Sequence, residues 1–203
     1  MKYLAKILSY ALHPTLIPIY GVGMLMLYGT VYHYLPLRMQ IYLLWDITLY
    51  STILPTLTMI LLKRLHRLRG RELPRRHHPC IMMIVGAICF LLYAFTVVRI
   101  PSLAIFRKIA FAGLFCNLYC LLMLRFTRRI STHMTAMGAL SALLVMLNIV
   151  GEQILFWPML GTLLLSGILA SVRLYMGRHR SLQLLAAYVG GFLVSVIAML
   201  YIQ

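Results

Sequence analysis

Seven apolar runs divide the chain, each close to the ~20 residues a helix needs to cross a bilayer. They cover residues 16–34, 41–62, 80–98, 103–124, 134–150, 154–174 and 184–201. Hydrocarbon offers no partner to backbone N–H and C=O groups, so a segment that crosses it must satisfy its own hydrogen bonds. The pattern therefore predicts an all-α fold, a polytopic transmembrane helical bundle with six or seven spanning helices, forming one integral membrane domain over residues 1–203. A soluble alternative fails on composition: 63% of residues are hydrophobic and 11% charged, with a mean hydropathy of +0.92, whereas a soluble domain carries about 25% charged residues. The fifth run is the shortest and is expected to be tilted or kinked. Residues 151–153 mark a turn after it, and Pro101 and Pro158 fall near helix starts, where a missing N–H is harmless. Gly21, Gly23, Gly29, Gly190 and Gly191 are candidates for close helix contacts. Residues 1–12, with Lys2 and Lys6, read as an interfacial lead-in rather than a cleavable signal.

Charge is concentrated between the runs. Nineteen Lys and Arg face three acids, a formal charge of +16. Three loops hold most of the cations, at 63–79, 125–133 and 173–183, and two helices separate each from the next, so all three share one face. Cations beside apolar helices anchor them to headgroups. The expected partners are therefore the headgroups of membrane lipids or a phosphorylated substrate, with no role for nucleic acid. Asp46, Glu72 and Glu152 are too few for a carboxylate metal cage, and Cys80, Cys89, Cys116 and Cys120 read as small core residues without metal-ligand grouping. No metal and no other cofactor is expected.

On the basic face arginines lie among histidines. The first loop carries Arg64, Arg67, Arg69, Arg71, Arg75 and Arg76 with His66, His77 and His78; the second carries Arg128, Arg129, Ser131 and His133; the third carries Arg173, Arg178, His179 and Arg180. Guanidinium forks bind phosphate oxygens and neutralise charge that builds in a transition state. One imidazole can attack phosphorus while another protonates the leaving oxygen.

The order and spacing of these residues resemble the type-2 phosphatidic acid phosphatase superfamily of membrane lipid phosphatases, over about residues 69–191. The family has three motifs: a basic residue, six residues and Arg-Pro; Pro-Ser-Gly-His; and Ser-Arg, five residues, His, three residues and Asp. Six residues separate Arg69 from Arg76, Ser131-Thr132-His133 stands for the second motif, and Arg173, His179 and Gln183 keep the spacing of the third. The resemblance implies that His179 forms a phosphohistidine, that His133 is the general acid, and that Arg69, Arg76, Arg173 and Ser131 hold the phosphate. Four positions depart from the pattern. Gln183 replaces the Asp that would orient His179, Thr132 replaces Gly, His77 replaces Pro, and Val172 separates Ser171 from Arg173. On a helix, positions 179 and 183 are one turn apart, and a Gln carbonyl there can fix a tautomer but adds no charge.

The implied function is hydrolysis of a lipid phosphate or pyrophosphate without a metal, the tail entering between helices. The alternative is a weak or inactive homologue that binds a phosphorylated lipid or a membrane partner. Charge counting puts the basic loops in the cytoplasm, whereas the family works on the outer side and has six crossings; sequence leaves the side open. A chain without eukaryotic sorting signals is expected in a bacterial inner membrane. The remaining residues take ordinary readings: His13-Pro14 as the start of the first helix, His33 as an interface residue on the far side, His77 and His78 as interfacial, the tyrosines and tryptophans as belts.

Overall fold

The computed structural model describes residues 9–28, 31–68, 78–98, 103–126, 130–150, 155–177 and 180–201. These residues are helical throughout, apart from short turns, and no strand occurs among them. After a helical turn at residues 9–11 come α1 (Ile17–Leu27) and a 3-10 turn (Val31–Tyr34). Next are α2 (Leu37–Thr48) and α3 (Leu54–Leu68), joined by one π turn (Leu49–Ile53). The chain continues as α4 (His78–Val98), α5 (Ala104–Phe126), α6 (Thr132–Val150), α7 (Phe156–Tyr175) and α8 (Ser181–Tyr201). Among the described residues, six helices are long and apolar enough to cross a membrane: the α2–α3 rod over Leu37–Leu65, then α4 to α8.

The first apolar run is not a single span. α1 has 11 residues, about 16 Å of helix against a hydrocarbon thickness of ~30 Å. Side chains satisfy the break that follows it. His33 Nδ1 donates to the Met26 carbonyl (2.7 Å), and Gln40 Nε2 donates to the carbonyls of His33 (2.8 Å) and Leu35 (3.0 Å). Pro36, with no N–H to give, then opens α2 as its carbonyl accepts from the Met39 and Gln40 amides. The fifth run, the shortest and expected to be tilted or kinked, is a continuous helix, α6, and carries much of the core through Met137, Leu140, Leu143 and Leu144.

α6 packs most closely on α8, and glycine is the reason. A Cβ at Gly138 would strike the Tyr188 carbonyl and come within 2.9 Å of the Phe192 amide; one at Gly191 would strike the Thr135 carbonyl. Only hydrogen fits where two backbones approach this closely. Gly23, by contrast, faces open space, so the helix contact expected there is not made. Tyr188 Oη donates to Ser141 Oγ (2.9 Å) across the same seam. Cys89, Cys116 and Cys120 are buried free thiols and Cys80 is half-buried, which fits small core residues. The outer surface exposes Leu57, Phe95, Trp157, Leu164 and Leu185, groups suited to lipid rather than water.

Short connections reverse the chain between successive spans. The end of α3, both ends of the α5–α6 connection, the end of α7 and the start of α8 therefore lie at one end of the bundle. The basic loops join these helix ends, and α1 starts there too, since Pro14, Thr15, His78 and Thr132 line one cavity.

Candidate functional site

The site is built around the start of α6. The Ser131 carbonyl accepts the amides of Met134 (3.0 Å) and Thr135 (3.1 Å), so the helix opens at Thr132 with its remaining first-turn N–H groups and the positive end of its dipole at the basic end. Ser131 is 2% exposed, and its hydroxyl has no hydrogen-bond partner among the described residues. His133 follows within the first turn. Burying a hydroxyl without a partner costs free energy, and a ligand oxygen would supply what Ser131 lacks.

Arg173 comes to the same place from the last turn of α7, where the carbonyl end of a helix favours a cation. It is only 4% exposed, and its guanidinium Nη2 donates to Ser9 Oγ at 2.9 Å. Ser9 belongs to the lead-in before α1, and four residues on, the same segment supplies His13. The His13 ring meets the His133 ring edge-on, centres 5.5 Å apart and planes at 78°. Burial, and then the charge of Arg173, hold the His13 ring below its ordinary pKa of 6.5. The lead-in thus gathers one guanidinium and two imidazoles, from α7, α6 and itself.

His13 is held firmly. Its Nδ1 lies 2.8 Å from Thr15 Oγ1 and accepts the Thr15 amide at 3.5 Å. An amide can only donate, so this contact favours the tautomer with the lone pair on Nδ1 and the proton on Nε2. Thr15 is itself anchored: its carbonyl accepts from Ser51 Oγ (2.9 Å) and Thr52 Oγ1 (3.0 Å), both in the π turn between α2 and α3. Single π turns inside helices recur at functional sites.

Of the residues expected from sequence, His133, Ser131 and Arg173 are brought to this end of the bundle. Gln183 has a different partner from the one expected: its Oε1 accepts the Arg180 amide at 3.2 Å, the reach-back half of a capping box at the start of α8. Since α8 begins at Ser181, position 179 precedes that helix. His179, Arg69 and Arg76, with His77, lie outside the described residues. The reading of His13 as an ordinary helix start missed its place in the cluster. Helix parity held the signal: an odd number of turn-backs puts the start of the first run on the face of the basic loops.

Beside this cluster opens a cavity of about 620 Å³, lined by Thr15, His78 and Thr132 near the basic end and by Phe90, Leu143 and Met199 deeper in. From Thr132 to Leu143 on α6, or from His78 to Phe90 on α4, it runs about 16–18 Å at 1.5 Å per helical residue, roughly one leaflet of a ~30 Å hydrocarbon core. Its walls are otherwise mostly apolar, with Ser51, Asn117 and Thr135 as further polar residues. No group of three or more His, Cys, Asp or Glu side chains able to hold a metal occurs among the described residues.

No protein family, curated protein or solved structure matches the chain. The likeness to membrane lipid phosphatases therefore rests on the three short motifs alone.

Proposed function

We propose that this protein receives a lipid phosphate or pyrophosphate at the basic end of its bundle and hydrolyses it without a metal ion. The observation that carries the reading is the meeting of Arg173 and His133, 40 positions apart in the chain, on one lead-in segment at the mouth of a leaflet-deep apolar cavity. Such a site matches an amphiphile: the guanidinium and the α6 N-terminus suit the phosphate oxygens, and the cavity suits the tail. In the proposed reaction a nitrogen of His179 attacks phosphorus and forms the N–P bond. The bond from phosphorus to the lipid oxygen breaks, and that oxygen takes a proton from the His133 ring. Water then gives a proton to the His133 ring as it attacks the phosphohistidine, breaking the N–P bond, releasing inorganic phosphate and restoring both rings. Arg69, Arg76, Arg173 and Ser131 hold the oxygens, and the proposed residence is a bacterial inner membrane.

Phosphate release from a panel of lipid phosphates and pyrophosphates tests this. Wild type is expected to turn over at least one of them, His179→Ala none, and Arg173→Met about 10²–10³-fold less, the usual scale for a lost oxyanion donor. Equal inertness of wild type and His179→Ala on every substrate overturns hydrolysis. One observation favours a second reading, a non-catalytic binder of lipid phosphates: Gln183 has a neutral amide engaged with backbone instead of a carboxylate beside a histidine. Wild type that releases no phosphate yet binds lipid phosphates through Arg173 would establish that reading.

A further inference from the structure

We propose that His13 is an additional contact for the phosphate in this site, donating from Nε2 to one of its oxygens and taking up a proton as the anion docks. The inference rests on the phosphate reading above and adds to it a residue outside the three motifs. Its first support is geometric. With Nδ1 held by Thr15, the only donor the neutral ring has left is Nε2–H, and this atom has no hydrogen-bond partner among the described residues. The His133 ring stands 5.5 Å away edge-on. At hydrogen-bond distances near 2.8 Å, two rings so placed can each reach an oxygen of one tetrahedral anion.

The second support is electrostatic. The described titratable or charged groups that face the ring from neighbouring elements are His133 on α6 and Arg173 on α7. Neither carries negative charge, and Arg173 disfavours a second cation beside it. While the site lacks an anion the ring stays neutral near pH 7, held there first by burial and then by Arg173. A bound phosphate reverses the sign of the local charge. The cost of protonating His13 falls, and the resulting imidazolium makes a stronger, charge-assisted bond to the same oxygen. Anion binding and proton uptake are then linked, each favouring the other. His13 also sits at the lip of the cavity, next to Pro14, which lines it, so head-group recognition and tail seating meet at one short segment.

Binding of hexadecylphosphonate, whose P–C bond resists hydrolysis, to the purified full-length protein measures this, with inorganic phosphate as a tail-free arm. Titration calorimetry at pH 6, 7 and 8, in buffers of different ionisation enthalpy, gives affinity and protons exchanged. Wild type is expected to bind more tightly as pH falls from 8 to 6 and to take up more protons than His13→Gln at pH 7. His13→Gln keeps a donor near Nε2 but cannot titrate, so it should bind within a few-fold of wild type at pH 8 and lose most of the enhancement at pH 6. His13→Asn keeps an acceptor for the Thr15 amide but loses the distal donor, and should bind about tenfold more weakly or worse. His13→Gln and His13→Asn matching wild type in affinity and proton uptake, while Arg173→Met loses binding, would overturn the role of His13 and leave the phosphate site standing. No binding of either ligand by wild type would overturn both. Binding of the phosphonate with no detectable binding of inorganic phosphate at millimolar levels assigns the ligand to lipids. Comparable binding of both assigns it to the phosphate group alone, and either result leaves the His13 comparison decisive.

Discussion

Single side chains at the basic end do several jobs at once, and their energetics separate those jobs. Gln183 caps α8 through the Arg180 amide. Gln183→Ala should lower the thermal stability of the detergent-solubilised protein by about 0.5–1 kcal/mol. Gln183→Glu keeps the reach and places a negative charge at a helix start, so it should match or exceed wild type. His13 gives a pH dependence of definite sign. Its ring is held below 6.5 in the folded chain, while the unfolded chain protonates near 6.5. Below that value the unfolded state binds more protons, so stability falls as pH drops from about 6.5 toward the folded value, and this contribution is flat above it. Thermal midpoints of the ligand-free protein between pH 8 and 5 should show a loss on acidification that is smaller in His13→Gln. An acid-side loss as large in the variant would assign it to other groups.

Helix by helix, much of the architecture was legible. The runs that became α4, α5, α7 and α8 lie within a few residues of their helices because a mostly apolar stretch of that length has one stable conformation in lipid. What failed was local. The run at 16–34 hid a break, since hydropathy does not register that His33 and Gln40 can satisfy carbonyls left by an interrupted ladder. The run at 134–150 looked short only because Thr132 and His133, polar residues that begin the helix, were not counted. The α6–α8 seam was half visible: Gly191 stood out as one of a pair, whereas Gly138 among alanines and methionines did not. Gly138→Ala should destabilise by about 3 kcal/mol or more, since its methyl group would meet backbone that cannot move aside. Gly161→Ala, in open space on α7, should be neutral or stabilise by up to about 1 kcal/mol from helix propensity alone. Parallel thermal melts of the two variants distinguish a close helix contact from a generic intolerance of glycine replacement.

Across the whole molecule, the alternation of spans puts the 3-10 turn at Val31–Tyr34 and the start of α8 at opposite ends of the bundle. Both places expose a side chain suitable for labelling, Tyr34 and Arg180. With Cys80→Ala to remove the least buried native thiol, an impermeant maleimide added to sealed, oriented vesicles should label Tyr34→Cys or Arg180→Cys, never both. Which one reacts also decides between the cytoplasmic placement favoured by the charge excess and the outer face used by the lipid phosphatases that the motifs resemble. The gathering of Arg173 and His133 was legible as chemistry but not as geometry, because no periodicity records that the lead-in would reach both. The double attachment of Ser51 and Thr52 to the carbonyl of Thr15 gives this arrangement a mechanical character. A guest that wedges the long rod outward must either stretch that latch or drag the lead-in along with it, so in the proposed function admission of a tail and alignment of the rings above it would be geared to each other.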